Sequence, residues 1–113
     1  MAINSRAKGK RAELDLAKKL REYGFDARRG AQYCGANGDA DVLGIPKIHI
    51  ECKNVQKLNL EAAYEQSKND AAAESERTGH YVVPTVFHKK DRKPWMVTMS
   101  MDDFIKMYRS AME

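Results

Sequence analysis

Glu51 and Lys53 stand two residues apart near the end of the stretch IHIECKN, residues 48–54. Ile48 and Ile50 alternate with His49 and Glu51, the pattern of a strand with one apolar face. Side chains two apart on a strand point the same way, so the carboxylate of Glu51 and the ammonium of Lys53 share a face. Such a pair is either a surface ion pair or part of a catalytic site. With further acids nearby, it becomes a site for phosphate chemistry. Two or three carboxylates form an oxygen-rich nest for Mg²⁺ or Mn²⁺. The metal can activate a water and neutralise a phosphate oxygen. Lys53 would then hold the attacking water or the scissile phosphate, acting by position and charge rather than by taking a proton.

Two other acids occupy positions that invite this reading. Residues 5–23 read as a helix capped by Ser5, with Leu16, Ala17, Leu20 and Tyr23 at helical spacing. Glu13 lies within about 60° of Leu16, Ala17 and Leu20 on the helical wheel, inside the apolar stripe. It is either buried with a partner, a cation or a proton, or it sits beyond the core and reaches water. Asp41 opens the strand-like DVLGI, 41–45, after the glycine-rich segment 30–38. A tight turn near Pro46-Lys47 would set Asp41 across from residues 51–53, where cross-strand Cβ atoms are about 5 Å apart. The alternative is a local turn hydrogen bond after glycine. Asp39 is a second candidate for the same role. The chain holds one more acid-x-lysine triplet, Asp91-Arg92-Lys93, but no strand precedes it.

These residues need a scaffold. Residues 25–29 suggest a short strand, and 48–53 pairs with 41–45 as a hairpin. Asn59 caps a helix over 60–77 that stops before Gly79. Residues 80–87 and 95–99 read as strands around a turn at 89–93, with Pro84 calling for an edge position or a bulge. Ser100 with Asp103 starts a last helix carrying Met101, Phe104, Ile105, Tyr108 and Met112 as an apolar stripe. The order α-β-β-β-α-β-β-α gives an α/β (α+β) architecture: one small domain over 1–113, with a mixed sheet of about five strands flanked by helices.

Composition narrows the class. The 113 residues are 42% hydrophobic and 32% charged, which suits a globular protein. No apolar run approaches the roughly 20 residues of a membrane span, and no signal core follows the basic N-terminus; the expectation is a cytoplasmic protein without a membrane partner. Cys34, Cys52 and the three histidines lack the spacing of a structural zinc site, and no small-molecule cofactor is called for. Cys52 belongs to the Ile face of its strand, as a core residue. The net charge of +4 is uneven: residues 1–30 carry nine basic against four acidic groups, and the rest 11 against 12. That asymmetry suits either a polyanion partner, most simply nucleic acid, or a solvated helix.

With these residues in place, the chain resembles the PD-(D/E)xK nuclease superfamily, and within it the Holliday junction resolvases of archaea and their phage and prophage relatives. The resemblance runs from about Gly9 to Met99. Gly9-Lys10-Arg11-Ala12-Glu13-Leu14 is similar to the helix supplying an early glutamate, Gly38-Asp39-Ala40-Asp41-Val42 to the strand with the motif aspartate, and Ile50-Glu51-Cys52-Lys53 to the E-x-K strand. Gln66 falls where the family often has a glutamine near the site. Ala40 replaces the motif proline, and 30–38 lacks a serine some archaeal members use. The resemblance implies a restriction-endonuclease-like core. It implies Mg²⁺ (or Mn²⁺) held by Glu13, Asp41, Glu51 and the Cys52 carbonyl, cleavage of branched DNA at four-way junctions, and a homodimer. DNA phosphates would be met by Arg6, Lys8, Lys10 and Arg11, by Arg28 and Arg29, and less strongly by Lys57 and Lys68. The rival expectations are a related nuclease acting on other DNA structures or sites, and a DNA-binding module without catalysis. For a dimer surface, the apolar stretch 80–87 and the last helix both stay open.

Overall fold

The computed structural model describes residues 5–30 and 40–112. Helix α1 (Ser5–Glu22) leads into β1 (Arg28–Arg29), β2 (Val42–Leu43) and β3 (Ile48–Asn54). Helix α2 (Leu60–Thr78), β4 (Val83–Lys89), β5 (Met96–Thr98) and α3 (Met101–Met112) follow. The expected element order holds. Asp39, Cys34 and the segment 31–38 lie outside the described residues, as does the Ser5 side chain expected to cap α1.

The five strands form one mixed sheet in sequential order, β1 to β5. Only β3 and β4 are parallel, with Ile50 level with Thr85 and Glu51 with Val86. A parallel pair needs a crossover, and α2 supplies it. The remaining neighbours are antiparallel.

Alternation along β3 decides which helix covers which face. Ile50 and Cys52 belong to a buried cluster with Ala12, Leu16, Ala17 and Leu20 of α1, joined by Ala27 and Val42. His49 of β3 instead meets Asp70 and Glu74 of α2. Successive strand residues point to opposite faces, so α1 and α2 sandwich the sheet. Through its buried positions Ala63, Ser67 and Ala71, α2 presents small residues to the sheet. The Ser67 hydroxyl donates to the Thr85 carbonyl at 2.8 Å. The predicted caps of α2 and α3 are present. Asn59 Oδ1 accepts from Ala62 N–H at 3.0 Å, Ser100 Oγ accepts from Asp103 N–H at 3.1 Å, and Gly79 closes α2 in the left-handed region.

Three expectations change. The strand expected over 25–29 is confined to Arg28–Arg29. The strand expected over 41–45 shrinks to Val42–Leu43, because Gly44 at φ 109° turns the backbone out of the extended region. The stretch 80–87 is not a sheet edge: β4 lies between β3 and β5 and runs from Val83 to Lys89. Pro84 fits there because β5 pairs only with Val86–His88, so at Pro84 no ladder bond to β5 is left unmade. The stripe foreseen on α3 is present but uncovered: Met101 is 75% exposed and Phe104 52%.

Candidate active site

The site gathers where β2 begins beside the middle of β3. Val42 pairs with Ile50, which sets Asp41 opposite Glu51 in the antiparallel register. The backbone fixes this placement: Asp41 N–H donates to the Ile50 carbonyl at 2.9 Å, and the Asp41 carbonyl accepts from Gly30 N–H at 2.9 Å. A side chain at position 30 would collide with the Ala40 carbonyl, so glycine permits this close approach. Asp41 Oδ2 then reaches across the strand pair and accepts a 2.7 Å hydrogen bond from the backbone N–H of Cys52.

Glu51 is only 7% exposed. Burial, then the neighbouring charge of Asp41, pushes its carboxyl up to about 7, against the opposing pull of Lys53. Lys53 Nζ stands 3.5 Å from Glu51 Oε2, and its side chain is 40% exposed. The strand alternation thus delivers the predicted pair, one member buried and one at the surface. Cys52 turns into the α1 core, and burial followed by the charges of Asp41 and Glu13 pushes its thiol up, so it stays a neutral packing group.

Glu13 is also 7% exposed, the first of the two outcomes open to it. Its partner is Arg29, whose Nε donates to Glu13 Oε1 at 2.7 Å. Burial raises its carboxyl above the ordinary range, Arg29 draws it back down, and Asp41 pushes it up again. Asp41 therefore acts electrostatically on both Glu13 and Glu51, and the three acids form one neighbourhood. Gln66, exposed on α2, is one step removed: its Nε2 donates to Asp70 Oδ2 at 2.9 Å.

The basic residues fall into separate groups. Lys8 and Arg11 line a groove of about 420 Å³ shared with Asp15, Asn54 and Asp91. Arg6 and Lys10 are exposed on the same helix, and Arg28, Lys57 and Lys68 are exposed elsewhere. Arg29, expected to face DNA, is partly buried with its Nε engaged by Glu13.

Sequence reasoning missed His49, Asp70 and Glu74. His49 is fully buried on the Glu51 face, with Nδ1 3.3 Å from Glu74 Oε1. The signal was partial: Asp70 and Glu74 are four apart on one helix face, and His49 shares its strand face with Glu51.

An acid at the mouth of a short strand, an E-x-K strand beside it and a helical glutamate, on a mixed sheet between helices, define a nuclease of the PD-(D/E)xK class. Residues 4–113 match the family described as "Phage putative PDDEXK endonuclease", and the chain belongs to that family. The fold is similar to that of Archaeoglobus fulgidus Hjc, a Holliday junction resolvase from an archaeal hyperthermophile. The two share 26% identity over 81% of this chain and 72% of that one, with a TM-score of 0.59. No curated protein matches the chain.

Proposed function

We propose that the protein is a divalent-metal-dependent endonuclease that resolves four-way DNA junctions by paired cleavage. In this reading residues 1–113 form one nuclease domain that acts in the cytoplasm of a bacterial host. The observation that carries the proposal is the buried Glu51 carboxyl, with Asp41 opposite it on the neighbouring strand and Lys53 Nζ 3.5 Å away. Acids clustered this closely at a surface meant for phosphate would repel it unless a cation joined them. The donors suit a small hard ion such as Mg²⁺ or Mn²⁺, since they are carboxylate and carbonyl oxygens. Asp41, Glu51, Glu13 and the Cys52 carbonyl would hold it. When bound, the ion supplies charge neutralisation at the scissile phosphate and activation of water.

The chain's own residues divide the remaining work. Lys53 places an exposed ammonium beside Glu51, where a phosphate oxygen can meet it. Arg29 pins Glu13 in place. Arg6, Lys8, Lys10, Arg11 and Arg28 offer positive charge to the DNA backbone, with Lys57 and Lys68 further out. Gln66 acts through Asp70. Symmetric incision of a junction needs two sites, hence a homodimer. With β4 interior to the sheet, the exposed stripe of α3 is the surface we assign to pairing.

The test compares a synthetic four-way junction with a linear duplex of the same sequence, in Mg²⁺ or EDTA. Symmetric nicks on the junction alone, lost in EDTA, are expected. Equal cutting of both substrates would make the protein a duplex nuclease of the same family. Binding without cleavage in either Mg²⁺ or Mn²⁺ would make it a binding module. Sedimentation at micromolar concentration should show a dimer that Phe104→Glu dissociates; a monomeric wild type would contradict paired incision.

A further inference from the structure

We propose a second metal site on the far side of Glu51, formed by His49, Glu51 and Asp70 and selective for a first-row transition ion, Mn²⁺ or Zn²⁺, over Mg²⁺. One ligand atom from each of the three residues lies within 4.8 Å of the other two. Metal–ligand bonds of about 2.0–2.2 Å in a tetrahedral shell set donors roughly 3.4 Å apart, so side-chain closure of up to about an ångström completes the set.

The decisive atom is His49 Nε2. The residue is fully buried, and Nε2 has no hydrogen-bond partner among the described residues. Its nearest carboxylate oxygen, Asp70 Oδ2, is 4.0 Å away, too far for a hydrogen bond. The other ring nitrogen, Nδ1, faces Glu74 Oε1 at 3.3 Å. In the tautomer that donates from Nδ1 to this carboxylate, Nε2 presents its lone pair toward Asp70. A carboxylate holding the remote nitrogen of an imidazole is the arrangement that orients metal-binding histidines and fixes their tautomer. Asp70 is oriented in turn by the 2.9 Å hydrogen bond from Gln66 Nε2. A lone pair buried against carboxylates is repulsive until a metal ion or a proton joins them. One imidazole nitrogen with two carboxylate oxygens suits Mn²⁺ or Zn²⁺, whereas Mg²⁺ takes oxygen ligands almost exclusively. Asp70 and Gln66, being partly or fully exposed, leave an entry path along α2.

Glu51 is common to this site and to the candidate active site, so an ion here would orient the carboxylate and tie α2 to β3. The inference needs only the positions of these side chains and stands apart from the reading as a junction resolvase.

Its test needs no DNA. The full-length protein, labelled with ¹⁵N-histidine, is titrated with Zn²⁺ while the imidazole nitrogens are followed by NMR. His49 Nε2 should shift on addition of one equivalent, and Mg²⁺ at the same concentration should leave it in place. Asp70→Asn, a change at a partly exposed helix position, should weaken the response by roughly tenfold or more while circular dichroism stays native. A His49 Nε2 resonance unmoved by Zn²⁺ would overturn the proposal, as would equal affinity in Asp70→Asn. Both the protonated alternative, an imidazolium between Asp70 and Glu74, and adventitious zinc at the exposed His80 would be revealed by those outcomes.

Discussion

On the α1 side of β3, Ile50 and Cys52 meet Leu16, Ala17 and Leu20 in an apolar cluster, and the buried Glu13 of the same helix is paired with Arg29. On the α2 side, His49 and Glu51 are just as deeply buried, yet His49 lies against Asp70 and Glu74, and the charge of Asp70 acts on Glu51. The first face stabilises the fold through area removed from water. The second opposes it, because a carboxylate loses hydration on burial and gains a like charge from Asp41. Seven residues of one strand thus hold a packing surface and a chemical one back to back. The polar face marks the site, since groups that lower stability persist where they do chemistry.

The sharpest break between the faces comes from Lys53→Ala. Cleavage should fall roughly 10³-fold, while stability in urea moves within about 0.5 kcal/mol, because the ammonium is partly solvated. Next in size is the opposite face: Ile50→Ala leaves a cavity in the α1 core and should lower stability by about 3 kcal/mol. Below its unfolding temperature that variant should still cut DNA within a few-fold of wild type. Parallel urea melts and nicking assays check both.

Glu51 adds a pH dependence of the third size. Its folded-state carboxyl, raised to about 7, binds a proton where the unfolded chain, near the ordinary 4.5, has released it. Stability from this group is therefore fully present below about pH 4.5, declines as pH rises toward 7, and is flat above. In EDTA the total decline should be on the order of 3 kcal/mol. Urea melts of wild type and Glu51→Gln from pH 5 to 8 isolate it, because the glutamine variant lacks the slope. Smallest is Ser100→Ala, which removes the cap on α3 far from either face and should lower stability by about 1 kcal/mol without changing cleavage.

Much of this division could be read in the chain. Alternation in 48–54 sorted Ile50 and Cys52 from Glu51 and Lys53, and helical spacing marked Glu13 as an acid on a buried stripe. Register arithmetic placed Asp41 across from residues 51–53, and the pairing of Val42 with Ile50 narrows this to Glu51. Other features had no local signature. The early end of β2 depends on the positive φ of Gly44. The cluster of His49 with Asp70 and Glu74 depends on how α2 is rotated over the sheet, which periodicity does not encode. The stripe of α3 was visible as a pattern, but a pattern says which side is apolar and not what lies against it. Pro84 pointed to an edge that exists only locally, where β5 stops short.

The central claim is that Glu51 is kept for chemistry against the interest of the fold. Glu51→Gln measured for both properties at pH 8 tests it most directly, with nicking of a four-way junction in Mg²⁺ and urea stability in EDTA taken on one preparation. The account predicts that cleavage is lost while the metal-free protein becomes more stable than wild type. Full cleavage, or a variant less stable than wild type, would contradict it.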